Sequence, residues 1–186
     1  MRPLPIPTPT IILSNLGDST MKCWLLLVDL DGTLWDNLDI SALKPPFRRI
    51  SEKTIIDSSG VEVNLYLDMV YLIKWAKENG AFISVLSWNM PDIAIEALNK
   101  FNLTHLFNYL VIEPHPDKGI MALKALKHAE KNECVPCAII YIDDRDIHLE
   151  GVKKRIDNIL YLKTWMDFKN VNEAKNIISA YISRVC

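Results

Sequence analysis

Residues 23–33 read CWLLLVDLDGT. An unbroken apolar run from Cys23 to Val28 gives way to Asp29, then Leu30, Asp31, Gly32 and Thr33. A run that is apolar at every position, rather than at every second one, marks a strand buried on both faces. Four more such runs follow: AFISVLS (81–87), YLVIE (109–113), CAIIYID (137–143) and NILYL (158–162). Amphipathic stretches of helical length separate them, at about 68–79, 91–101, 118–131, 147–155 and 171–183. In the first, Met69, Leu72, Ile73 and Ala76 recur at helical spacing and Gly80 supplies a stop. The second places Pro91 in its first turn, where a missing N–H costs little. Strand–helix alternation predicts a three-layer, Rossmann-like α/β fold: a mainly parallel five-stranded sheet with helices on both faces.

The whole-chain numbers bound the rest. A length of 186 residues, 49% apolar and 24% charged, suits one domain with a substantial core. The apolar runs are too short to span a bilayer. With 23 acidic against 21 basic side chains and a net charge of -2, the footprint of a general nucleic-acid binder is missing. Residues 1–20 hold four of the ten prolines and read as an extended arm, or as an upstream extension with Met21 the true start. No export signal is legible there, so a cytoplasmic protein is expected, with 21–186 as its single domain. Residues 34–67 form the one irregular stretch. They read as a loop and a hairpin turning at Ser58–Gly60, a flap with room for no cap domain. Cys23, Cys134, Cys137 and Cys186 do not suggest a disulfide framework at this length, and the Cys134–Cys137 pair reads as a loop before a strand. An isoleucine- and lysine-rich composition hints at a thermophile, where an intracellular disulfide is more plausible.

In an open parallel sheet the chemistry gathers at the carboxyl ends of the strands. Asp29 and Asp31 leave the first run, Ser87 ends the second, Lys118 opens the helix after the third, and Asp143 and Asp144 end the fourth. An aspartate after a strand is ordinarily a turn former or a helix cap, so each signal alone is weak. Together, in this order, they describe a site. Four crowded carboxylates repel one another unless a cation neutralises them, and hard oxygen ligands suit Mg2+. With Lys118 as a second positive charge and Ser87 as a hydrogen-bond donor, such a site can hold a phosphoryl group. Asp29 is then placed to attack phosphorus, and Asp31 to protonate the leaving oxygen and later activate water.

This set of residues resembles the haloacid dehalogenase (HAD) superfamily over about residues 28–165. DLDGTLW at 29–35, Pro45-Pro46-Phe47, EPHPDK at 113–118 and IDDRD at 142–146 are similar to the magnesium-dependent phosphatase family within it. The resemblance implies Asp29 as nucleophile, Asp31 as general acid/base, and Ser87 and Lys118 gripping the phosphoryl group. It implies Mg2+ on the Asp29 carboxylate, the Asp31 carbonyl and one of the paired aspartates, with Asp144 the first choice and Asp143 behind it. Two positions depart from the family pattern: Trp88, followed by Asn89, stands where relatives carry arginine, and Arg145 stands where an acidic residue is usual. Trp88 and Asn89 are candidate substrate contacts, with packing beneath the 34–67 loop an equal reading for Trp88. The expected partner is a phosphorylated substrate, such as a sugar phosphate, a phosphoprotein or a nucleic-acid end, which an open site admits. The alternatives are a catalytically silent HAD-like scaffold and a receiver-like domain. A receiver places its adjacent acidic pair after the first strand, whereas here the pair comes fourth.

Overall fold

The computed structural model describes residues 23–186, so the expected arm at 1–20 and the alternative start at Met21 lie outside the described residues. In chain order the elements are β1 (Trp24–Val28), β2 (Arg48–Arg49), β3 (Thr54–Ile56), β4 (Glu62–Asn64), α1 (Leu67–Glu78) and β5 (Ala81–Trp88). There follow α2 (Pro91–Lys100), β6 (Tyr109–Glu113), α3 (Lys118–Lys131), β7 (Ile139–Asp143), α4 (Leu149–Lys153), β8 (Ile159–Lys163) and α5 (Val171–Val185). Each of the five apolar runs is a strand, and together they form one sheet in the order β6-β5-β1-β7-β8 with every pairing parallel. β1 is central, and all five of its residues are buried.

Its side chains alternate between two cores. Trp24, Leu26 and Val28 join the larger cluster, which takes in Met69 and Ile73 of α1, Ala94 of α2 and Ile178 of α5. Leu25 and Leu27 face the smaller one with Met121, Ala125 and Ala129 of α3 and Val152 of α4. The three layers follow from this double burial. α3 starts on a side-chain cap, with Asp117 accepting the Ile120 N–H at 3.1 Å. It approaches α4 so closely that a Cβ on Gly119 would lie 2.4 Å from the Gly151 carbonyl oxygen. The helix expected over 147–155 is shorter: a 3₁₀ turn at Asp146–His148 leads into α4.

The 34–67 stretch holds more structure than its sequence suggests. The expected hairpin is β3–β4, but β2 adds a third antiparallel strand from residues read as loop. Phe47, Ile55, Val63 and Leu65 are buried in the larger core, so this small sheet is packed against the body. Asp57 organises its turn, accepting N–H bonds from Lys44, Ser59 and Val61. The Lys44 bond is the largest influence on its acidity; opposed by burial and helped by Val61 and Ser59, it holds the carboxyl at about 2.

The cysteines correct the sequence reading. Cys23 is bonded to Cys134 and Cys137 to Cys186, and no free cysteine remains among the described residues. The four are far apart in sequence, yet Cys23 precedes β1, Cys134 and Cys137 precede β7, and Cys186 ends α5. In a parallel α/β fold strand starts and helix ends share one pole, and that topology brings them together. No helix is long and apolar enough to cross a membrane among the described residues.

Two outcomes follow from these contacts. Reduction should lower the melting temperature by about 10 °C or more, because two crosslinks closing long loops contribute several kcal/mol in a domain of this size. A Cys23→Ser or Cys137→Ser variant should show part of that drop without reductant, by thermal melts. The Asp57 carboxyl lies below its usual 3.8, so the support it gives is present above that value and lost as pH falls through about 2. Amide exchange at Val61 should quicken across that window, and Asp57→Asn should remove the pH dependence.

Candidate active site

Asp29 and Asp31 leave the carboxyl end of central β1, so the two neighbouring strands deliver their own terminal residues beside them. Ser87 comes from β5, Asp143 from β7, Asp144 from just beyond it, and Lys118 is the first residue of α3. Asp29, Ser87, Lys118 and Asp143 are all buried. The structure therefore brings together the whole set picked out at the strand ends.

Lys118 Nζ lies 2.8 Å from Asp29 Oδ1 and 2.5 Å from Asp143 Oδ2. Burial acts to lower the Lys118 pKa, but Asp29 and Asp143 outweigh it and raise it, so the ammonium stays charged. Asp143 is committed inward. Its Oδ2 also accepts from the Tyr141 hydroxyl, and its Oδ1 accepts the Arg145 N–H at 2.8 Å. Burial drives the Asp29 carboxyl up to about 7, with Lys118 opposing and Asp143 and Asp31 adding to the rise. Asp144 is raised too, by burial and then by Asp143. One lysine does not balance this crowd.

Two oxygens show what the crowd accommodates. Asp29 Oδ2 and Asp144 Oδ1 are buried and have no hydrogen-bond partner. One carboxylate oxygen from each of Asp29, Asp143 and Asp144 lies within 4.8 Å of the others. A buried, all-oxygen donor set with orphaned lone pairs fits Mg2+. Gly32 secures the space: its φ is +66°, and a Cβ there would lie 2.5 Å from Asp144 Oδ2. The Thr33 hydroxyl, accepting the Asp144 N–H at 3.0 Å, ties the β7 end to the β1 loop.

Asp31 sits in a separate hydrogen-bond frame. Trp35 Nε1 donates to its Oδ1 at 2.7 Å, Asn89 Nδ2 to its Oδ2 at 3.0 Å, and the Ile40 N–H approaches both oxygens. Burial raises its pKa in spite of these donors. Asn89, expected at the substrate, lines the cleft beside Asp31 but is itself buried, with its second N–H on Ser87 Oγ at 2.9 Å and its Oδ1 accepting from Ser41 at 2.6 Å. Trp88 faces outward over a cleft of about 360 Å³ that has Asp31 in its wall. Trp35 and Tyr141 were not singled out in sequence as partners of the site aspartates. The four-residue step from Asp31 to Trp35 and the two-residue step from Tyr141 to Asp143, along one strand face, were the available signals.

Comparison with known proteins agrees with this geometry. A sequence model of the family described as Acid Phosphatase matches residues 23–161. The chain is similar to Magnesium-dependent phosphatase 1 of Homo sapiens, 26% identical over 151 residues that cover 80% of this chain and 83% of that protein. In fold it is similar to a HAD-superfamily hydrolase from Ehrlichia chaffeensis, with a TM-score of 0.60 and 16% identity over 85% of this chain and 97% of the other. It is also similar to the HAD domain of effector protein Lem4 from Legionella pneumophila, with a TM-score of 0.56 and 16% identity over 89% and 98% of the two chains. A match across most of the chain, on a fold that carries the aspartates, serine and lysine to one sheet edge, places it: the chain belongs to the Acid Phosphatase family, is a phosphatase, and has a HAD-like fold.

Proposed function

We propose that the protein is a Mg2+-dependent phosphomonoesterase that works through an aspartyl-phosphate on Asp29, with Asp31 as general acid and then general base. The observation that carries this reading is the pair of orphaned buried oxygens, Asp29 Oδ2 and Asp144 Oδ1, beside a charged Lys118. Asp29, Asp144 and the Asp31 carbonyl would hold the metal, with Asp143 behind them fixing Lys118. When bound there, Mg2+ would offset the carboxylate charge and polarise the phosphoryl oxygens. The name of the human relative and a Mg-complexed phosphatase-domain structure from Bacteroides fragilis, similar in fold at a TM-score of 0.51 and 12% identity, support the choice of metal.

The chain's own residues then divide the work. Lys118 holds Asp29 Oδ1 in place and stabilises charge on the phosphoryl group with the Ser87 hydroxyl. An Asp29 oxygen forms a bond to phosphorus as the bond to the leaving oxygen breaks. Asp31 gives its proton to that oxygen, and burial raises its pKa, the direction that favours the proton-carrying form. Asp31 then takes a proton from water, the water oxygen bonds to phosphorus, and Asp29 leaves as a carboxylate. Trp35 and Asn89 keep Asp31 aimed through both steps. We take 21–186 as one domain without a cap and the 34–67 sheet as a wall of an open site.

The test is hydrolysis of an aryl phosphate. Activity should require Mg2+, vanish with EDTA and return on adding Mg2+; Asp29→Asn should abolish turnover, and Asp31→Asn should lower it by about 100-fold or more. Activity that survives EDTA or Asp29→Asn overturns the mechanism. Gly32→Ala should weaken Mg2+ binding by about 10–100-fold, read as the Mg2+ concentration needed for half-maximal rate. Without metal, Asp29 titrates near 7 rather than 3.8, so the folded state holds an extra proton between those values. Stability should therefore fall as pH rises through that window in EDTA, and Mg2+ should restore it at pH 8.

A further inference from the structure

The group that accepts the proton from Asp31 must sit in the cleft that Asp31 opens on, and the chemistry of that cleft is specific. Its polar side chains nearest Asp31 are already engaged. Ser41 Oγ donates to Asn89 and accepts the Met90 N–H at 2.7 Å, while both Asn89 N–H groups are held by Asp31 and Ser87. A polyhydroxylated leaving group would find few free partners among them. One side of the cleft is apolar: Leu38, Trp88 and Met90 are 71%, 44% and 50% exposed, and Pro114 completes that side. Trp88 is held in place, its ring packing edge-on against His148 at 6.1 Å between centroids.

One cation also faces the cleft without a settled partner. Arg145 Nε is buried and makes no hydrogen bond, and the nearest carboxylate oxygen, Asp144 Oδ1, is 3.7 Å away. That separation is too long for a hydrogen bond. The side chain as a whole is 43% exposed, so the terminal donors of the guanidinium can reach an anion in the cleft. The exposed Asp39 carboxylate, which caps the turn at Ile40–Ala42, repels an anion from its own part of the cleft.

We infer that Trp88 and Arg145 set leaving-group specificity, selecting phosphomonoesters of a planar ring that carries a second anionic group such as a carboxylate. The ring lies against Trp88 and the neighbouring apolar side chains, and the anion pairs with Arg145. This rests on the phosphatase reading above, since it assigns the contacts of the group that leaves Asp29-bound phosphorus.

Steady-state kinetics with Mg2+ on phenyl phosphate, 4-carboxyphenyl phosphate and glycerol 1-phosphate test it. The wild type should bind the carboxylated ester with a KM about fivefold or more below that of phenyl phosphate. Arg145→Gln should cut the ratio of kcat/KM for the carboxylated over the plain aryl ester about tenfold, mostly through KM, and Arg145→Lys should restore part of it. Trp88→Ala should cut the ratio of aryl ester to glycerol 1-phosphate about tenfold, and Trp88→Phe should retain most of it. Ratios taken within each variant are insensitive to the amount of folded enzyme. Equal losses on all three esters, or a wild type with no preference for the carboxylate, overturn the inference. A wild type inactive on all three overturns the phosphatase reading itself, which is a different result.

Discussion

A single buried ammonium holds this site together. Lys118 reaches both Asp29 and Asp143 with no exposed surface of its own, so each partner's charge depends on the other contacts of the group. Helix geometry does not account for a lysine at that position, because a cation at a helix N-terminus opposes the macrodipole. The carboxylates account for it. Removing the lysine would leave two buried aspartates without compensation, a change far more costly than losing a surface pair.

The fold exists around that contact. Central β1 delivers Asp29, β7 on one side delivers Asp143, and α3 enters from the β6 side with Lys118 as its first residue. The backbone approach of α3 to α4 at Gly119 and Gly151 seats the helix start. Charge still remains in excess, which is why Asp29 and Asp144 have raised pKa values and one orphaned oxygen each. A divalent cation relieves both conditions at once. The net charge of -2 over the whole chain conceals this local crowding.

The sheet and its site were legible in sequence because parallel strands buried on both faces are apolar throughout, so the first polar residue marks where each strand emerges. That signal located Asp29, Ser87 and Asp143, and Lys118 followed from the helix start. It was blind to Trp35 and Tyr141, whose apolar bulk reads as core while a single polar atom of each binds a site aspartate. Asn89 was read as a substrate contact because its position after a strand end says nothing about rotamer; its engagement with Asp31, Ser87 and Ser41 exists only in three dimensions. β2 has two exposed arginines and no apolar pattern, and it is a strand only because β3 lies beside it. The disulfides likewise depend on the shared pole of strand starts and helix ends.

Asp29 is the atom-level centre of the proposed reaction, and a trapped intermediate tests that most directly. The Asp31→Asn variant, mixed with an aryl phosphate and Mg2+ and quenched in acid, should carry one phosphoryl group on Asp29. Peptide mass spectrometry should locate it there, and hydroxylamine should release it as expected for an acyl phosphate. A phosphoryl group on any other residue, or burst-free turnover by an enzyme that never becomes labelled, would contradict the account.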